Sequence, residues 1–304
     1  MSPSPSHPLT SSPLPITLLI PVYNRARALR ATFPSDLQSQ NVAEIVLVDD
    51  GSDDDTPNLM RQLQASSPIP VQVVRHERRQ GQQRSRMVAI AQAKTDWVMF
   101  GEDDVYLGAG YIDTLLREGQ QLRADVIAGR LIDLRVPDEF SPDMLVDPVP
   151  PQPTRTNTDV FDLLRFGADY TARPAQPIEA PYVHTIALIK RDLFQKISFD
   201  PYYGGNAVRE ETDFYLSAAA QGHKIYFSPS VVAYHLRGAI AGSGGQRIPR
   251  WKMEYWNFVN THHLVSKHWA HLKQKYQFRG TPALWMLSFL RGRYGYVTRT
   301  FFGR

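Results

Sequence analysis

Four short apolar runs, Ile16–Val22 (ITLLIPV), Glu44–Val48 (EIVLV), Val71–Val74 (VQVV) and Trp97–Phe100 (WVMF), recur through the first hundred residues. Their apolar residues are grouped rather than alternating, the pattern of parallel strands covered on both faces. The segments between them, Ala26–Gln40, Pro57–Ala65 and Arg84–Ala93, read as helices. Thr56 is placed to cap the second, with Pro57 at its first position. Strand–helix alternation with short connections predicts an α/β/α sandwich around a mostly parallel central sheet. Val126–Leu134 and His184–Ile189 add strands, and Arg191–Ile197 and Glu211–Gln221 add helices. Lys224–Phe227 reads as a further strand and Val231–Tyr234 as a further short apolar run. Between Pro137 and Pro181 lies an irregular stretch rich in Pro, Asp and Thr, with a short helix expected over Phe161–Phe166. So long an excursion inside a compact domain reads as a lid or binding loop.

Acidic residues gather where strands end. Val48 is followed by Asp49, Asp50, Gly51 and Ser52, which suits a turn and equally suits a carboxylate accepting from a nucleobase or ribose. Phe100 is followed by Gly101, Glu102, Asp103 and Asp104. Three adjacent acids repel one another, so a hard divalent cation explains them better than a solvated turn. On an extended segment Glu102 and Asp104 face one way and can share an ion, with Asp103 pointing elsewhere. Glu210, Glu211 and Asp213 open a helix, where acids suit the dipole, and one Glu there can also serve as general base. His235 closes the run Ser230–His235 and is a strand terminus or a metal ligand.

Taken in order, these segments resemble the family-2 glycosyltransferases, over roughly Ile16 to His235. Pro21–Arg25 (PVYNR) is similar to that family's P-x-Y-N segment, and Asp49–Ser52 to its D-D-G-S. Glu102-x-Asp104 stands where the family has D-x-D, with Glu replacing the first acid. Gly81–Met87 (GQQRSRM) is similar to its G-x-x-x-A-R-N, with Met87 where Asn is usual, and Glu210–Asp213 to its E-E-T-D. The resemblance implies a GT-A fold and inverting transfer from a nucleotide-diphosphate sugar to an acceptor hydroxyl, in polysaccharide or glycoconjugate synthesis. It implies a nucleotide site at Pro21, Tyr23, Asn24, Arg25, Asp50, Gly51, Arg86 and Asp103. It also implies Mn²⁺ or Mg²⁺ at Glu102, Asp104 and His235, and catalysis by Glu211 with Glu210 second. A saccharide or lipid-linked acceptor is expected, and Tyr202 and Tyr203 either stack on a sugar or pack. A nucleotidyltransferase would carry a Gly-rich phosphate loop where this chain reads PVYNRARAL. A catalytically degenerate relative, or a basic module binding polyanions or membranes, is the competing reading.

Beyond residue 240 the character changes. Residues 246–304 hold eleven Lys and Arg against one acid, Glu254, whereas the remainder holds 23 bases and 29 acids. Trp251, Tyr255, Phe258, His262, Val265, Trp269, Leu272 and Tyr276 recur at helical spacing. This stripe reads either as a membrane-surface face or as packing against the catalytic domain. Gly242–Gly245 reads as a hinge or lid. The chain is thus expected to comprise a Pro/Ser-rich leader (1–15), a catalytic domain (16–240, with a nucleotide half to about 135) and a helical extension (241–304). No cysteine is present, which excludes thiolate metal sites and thiol catalysis. The leader lacks the basic and apolar regions of a secretory signal, and the apolar run Ala283–Leu290 is far too short to span a bilayer. These features predict a cytoplasmic protein, peripheral on the inner membrane face, that does not bind nucleic acid.

Overall fold

The computed structural model describes residues 15–137, 139–238, 240 and 249–302, with side chains as far as 293. The expected leader, except Pro15, and the expected hinge at Gly242–Gly245 lie outside the described residues. In chain order the first half runs β1 (Ile16–Val22), α1 (Ala26–Asp36), β2 (Val42–Asp49), α2 (Thr56–Ser66), β3 (Val71–Arg75), α3 (Gln82–Gln92), β4 (Trp97–Phe100), β5 (Val105–Leu107), α4 (Tyr111–Leu122) and β6 (Val126–Val136). It continues α5 (Asn157–Val160), β7 (Phe161–Asp162), β8 (Gly167–Ala168), β9 (Ile178–Glu179), β10 (Ala187–Lys190), α6 (Leu193–Lys196), α7 (Glu210–Ala220) and β11 (Ile225–Gly238). Two long helices, α8 (Arg250–Tyr276) and α9 (Pro282–Phe302), close it.

The main sheet has the order β3-β2-β1-β4-β10-β6-β11-β5, with β9 also paired to β11. β3, β2, β1 and β4 are parallel, as are β6 and β11, whereas β10 runs antiparallel between β4 and β6. Every residue of β1 and β4 is buried, which explains why their sequences carry no polar alternation. The chain leaves β1 to form β2 on one side and later returns as β4 on the other. This strand-order reversal opens a crevice beyond the carboxyl end of β1, where open α/β sheets bind ligands.

Three local expectations are corrected. Phe161–Phe166 is not a helix but the first strand and turn of the β7–β8 hairpin. The helical turn precedes it at Asn157–Val160, where Thr156 and Asp159 form a reciprocal capping box. Lys224–Phe227 is not a strand of its own, separate from the apolar run Val231–Tyr234: β11 runs through both, with a register shift between Phe227 and Val232 that accommodates Pro229. Thr56 does not cap α2. Asp55 stands at that position, and the Thr56 hydroxyl accepts from the Arg25 backbone N–H at 3.0 Å, tying α2 to the loop after β1.

Candidate active site

The β1 and β2 ends are cross-tied. Asn24 adopts a left-handed φ of 53°, and its side chain donates to Asp53 Oδ1 at 2.6 Å and accepts from Asp53 N–H at 2.9 Å. Asp49, buried at the end of β2, accepts from the Ser52 N–H at 2.8 Å and so shapes the turn. Asp50 accepts from the backbone N–H groups of Gln80 (2.7 Å) and Gly81 (2.8 Å) and lies 3.0 Å from His76 Nδ1. It therefore draws the β3–α3 loop across the crevice. Gly51 has φ +77°, and a Cβ there would sit 2.8 Å from Arg78 C and Arg79 N, so only glycine lets the two loops meet. The same loop lays the Arg79 guanidinium over the Tyr23 ring, 4.3 Å from its centroid.

The resulting cleft, about 260 Å³, is lined by Pro21, Tyr23, Arg25, Asp50, Glu102, Asp103, Asp104 and His235. All eight were identified in the sequence. Val22, Arg79, Gln82, Ser85 and Arg237 also line it and were not. A basic loop leading into a helix start, Arg78-Arg79-Gln80-Gly81-Gln82, was the available signal for two of these, Arg79 and Gln82. Asn24 and Gly51 are outside the lining and instead build the loops around it.

Glu102, Asp104 and His235 each turn one ligand atom to a common point, with all three atoms within 4.8 Å of one another. β4 delivers the acids, and β11 delivers His235 opposite Val105 of β5. Asp103 stands apart from this trio, as expected, and takes the Tyr23 backbone N–H. Burial, then the adjacent Asp104 charge, pushes the Glu102 carboxyl up to about 7. Burial and Asp104 likewise raise Asp103. Burial would raise Asp104 too, but the hydrogen bond and charge of His235 and the charge of Arg25 hold it low. Arg25 lies 3.3 Å from Asp104 and His235 lies 3.4 Å from it. Burial disfavours the His235 cation, yet Asp104 and Glu102 outweigh it and raise its pKa. The trio's two carboxylates are met by Arg25 on Asp104 and by Arg86 on Glu102.

Arg86, fully buried in α3, joins this pocket to α7. Its guanidinium lies 3.4 Å from Glu102 and 2.8 Å from Glu211, and 5.5 Å from the Phe100 ring centroid. Glu211 also accepts from the Thr185 hydroxyl at 2.6 Å. Both contacts fall on Oε1, and the Glu211 side chain remains 38% exposed. Glu210 is the opposite case. It is 2% exposed, its Oε1 has no hydrogen-bond partner among the described residues, and burial pushes it up to about 7. Of the two, Glu211 is the one an acceptor can reach. Thr185, which orients it, was not singled out in the sequence, and an isolated threonine in a loop gives no signal.

Ahead of α7, Tyr203 is buried, whereas Tyr202 is half-exposed and stacks on His263 of α8 at 3.7 Å. The expected stripe on α8 is corrected in part. Trp251, Tyr255 and Phe258 are exposed, and the face turned inward is Asn257, Asn260, Thr261, Leu264, Val265, His268 and Leu272. Its polar members have partners there. Asn260 donates to the carbonyls of Gly204 and Val208, and Asp213 takes Lys267 at 2.8 Å and His268 at 2.7 Å.

Among known proteins, the family described as Glycosyl transferase family 2 matches residues 17–198. The GalNAc(5)-diNAcBac-PP-undecaprenol beta-1,3-glucosyltransferase of Campylobacter jejuni is 23% identical over 71% of this chain and 66% of its own length. The undecaprenyl-phosphate 4-deoxy-4-formamido-L-arabinose transferase of Pseudomonas fluorescens is 34% identical over 30% of this chain and 28% of its own. The chain thus spans two thirds or less of these curated relatives. Among solved structures, S. aureus TarS (residues 1–349) superposes with a TM-score of 0.58 at 15% identity, covering 94% of this chain and 73% of that one. GalNAc-T7, solved with UDP, GalNAc and Mn²⁺, gives 0.61 at 17% identity, covering 83% and 47%. At these identities the two structures speak for the GT-A fold.

Proposed function

The chain belongs to glycosyl transferase family 2, and from that premise we propose that it moves a sugar from a nucleoside-diphosphate sugar to an acceptor hydroxyl, with inversion at the anomeric carbon. The observation that carries this reading is Arg86, which joins Glu102 of the trio to the half-exposed Glu211 of α7. The nucleoside lies along the ends of β1 and β2, with Tyr23 and Arg79 beside it and Asp50 toward the base. Arg25 and Arg237 offer positive charge to the diphosphate.

A divalent cation fits the trio. Two carboxylates and an imidazole are suitable donors for Mn²⁺ or Mg²⁺. Their ligand atoms all lie within 4.8 Å of one another, and bonds of about 2.1 Å to one ion would draw them closer together. When bound, such an ion neutralises charge that develops on the leaving diphosphate. Glu102, Asp104 and His235 would hold it. Glu211 takes the proton from the acceptor hydroxyl as that oxygen attacks, a contribution of about 10²–10⁴-fold. Arg86 and Thr185 fix one carboxylate oxygen and leave the other to receive the proton. The undecaprenol-linked names of two relatives favour a lipid-linked acceptor over a free saccharide, with residues 246–304 toward a membrane.

A thermal-shift series with UDP, GDP, dTDP and CDP, each with and without Mn²⁺, tests the donor site. A nucleotide at 100 times its dissociation constant stabilises the protein by about 2.7 kcal/mol. We expect one nucleotide to do so with metal only, and Asp104→Ala to abolish the shift. A wild-type protein indifferent to all four would overturn the reading.

A further inference from the structure

Seven of the twelve large apolar side chains exposed among the described residues lie on α8 and α9: Trp251, Met253, Tyr255, Phe258, Leu284, Leu287 and Leu290. Trp251 is 68% exposed and Leu287 63%. Trp251, Tyr255 and Phe258 fall at i, i+4 and i+7, one face of α8. On α9, Leu284, Leu287 and Leu290 fall at intervals of three, while Trp285, Met286 and Phe289 turn inward. The two helices are clasped by Arg293 on Glu254, at 2.6 and 2.7 Å. Glu254 is the lone acid among the eleven bases of residues 246–304, and of those bases Lys267, Lys275 and Arg293 are paired with acids. Lys252 lies over the Trp251 ring at 5.4 Å.

We propose that the outer face of the α8–α9 hairpin docks on an anionic lipid bilayer, with Trp251, Tyr255, Phe258, Leu284 and Leu287 entering the headgroup boundary. Aromatic rings beside Lys and Arg match that boundary, where one end of the side chain is apolar and the other wet. Net positive charge selects an anionic surface, each basic residue near it contributing about 1 kcal/mol. Among the described residues no helix is long and apolar enough to cross a membrane, so the contact lies in the surface plane. The orientation has a chemical consequence. The inner face of α8 grips the 200–209 segment that leads into Glu211, through Asn260 on Gly204 and Val208 and Thr261 on Arg209. Because that inner face holds the segment before Glu211, docking the outer face would tether this side of the molecule at the bilayer, where a lipid-linked hydroxyl arrives. This inference rests on the lipid-linked acceptor reading above.

Flotation of the full chain with phosphatidylcholine vesicles, with and without 30% phosphatidylglycerol by design of the assay (about one anionic lipid in three, enough for a strong surface potential), tests it. We expect flotation with the anionic vesicles only, weakened by salt. Trp251→Glu/Phe258→Glu, and independently Leu284→Glu/Leu287→Glu, should each reduce it about tenfold or more, with nucleotide-dependent thermal shifts unchanged. Wild type that stays with the pellet in both vesicle types overturns the proposal, as does binding unaltered by both variant pairs. A dimer by light scattering that both pairs dissociate, without vesicle binding, assigns the face to a second copy of the chain and also overturns it. Retained metal-dependent nucleotide binding in those cases leaves the transferase reading standing, so the two fail separately.

Discussion

Arg86 shows how much of the site depends on single atoms. With Arg130 it is one of the two largest fully buried side chains among the described residues, and its charge is balanced by carboxylates from two elements far apart in sequence. Because Glu211 meets both Arg86 and Thr185 through Oε1, Glu211→Gln keeps an oxygen to accept from both while removing the base. We expect kcat to fall about 10²–10⁴-fold, with nucleotide binding by thermal shift unchanged. Loss of binding in step with kcat would mean that Glu211 holds the donor instead. Gly51 makes a different demand. Gly51→Ala forces a left-handed φ on alanine and puts its Cβ 2.8 Å from backbone atoms of Arg78 and Arg79. Strain of that kind costs about 1–3 kcal/mol, measurable as a lowered denaturation midpoint, and a variant as stable as wild type would show that the 78–79 loop yields freely. Residues of this sort were legible where chemistry and position agreed: acids at strand ends, and an arginine inside a motif. Thr185 and His76 were not legible, because each acts through a partner more than twenty residues away.

At the scale of elements, local pattern served well where a segment is covered on both sides and failed where polar groups face inward. β1 and β4 were read to the residue because burial leaves no room for polar alternation. Pro229 made β11 look like a short strand and a separate apolar run, and only the pairing with β6 carries the chain through it. The inward face of α8 escaped hydrophobic periodicity because Asn257, Asn260, Thr261 and His268 are buried there for their hydrogen bonds. The link from α8 to α7 has a titration signature. Burial would raise the Asp213 carboxyl, but His268 and Lys267 outweigh it and hold it below the ordinary range. Asp200 is held low in the same way by His263 and Lys267. A carboxyl depressed by folding contributes stability above its unfolded pKa of about 3.9 and loses it as pH falls through the folded value. Asp213→Asn should therefore lower the denaturation midpoint by a constant amount from pH 7 to about 5. Below about pH 4 the gap to wild type should close. A gap that stays constant down to pH 3 would remove the carboxylate from this account and leave only packing.

The molecule as a whole is an acidic α/β body with a basic helical hairpin, and charge alone suggests two separable parts. Packing points the other way. Leu264, Val265 and Leu272 of α8 and Trp285, Met286 and Phe289 of α9 are buried in the same apolar cluster as Val98 and Phe100 of β4 and Phe214 of α7. Trp285 stacks on Phe278 and meets Phe166 of the 137–181 excursion, so the hairpin covers that excursion as well as the sheet. Hydropathy along the chain cannot reveal this, because it shows that a side chain is buried and not what buries it. We accordingly propose that α8 and α9 extend the catalytic domain as one folding unit. Elements buried in one shared apolar cluster are expected to unfold together. Calorimetry should give one transition, with fluorescence from the five tryptophans, three of them at positions 251, 256 and 269 on α8, and far-ultraviolet dichroism changing together. An early, separate fluorescence transition that leaves metal-dependent nucleotide binding intact would instead make the hairpin an independent module, and the grip of α8 on the segment before Glu211 would then be too weak to matter for catalysis.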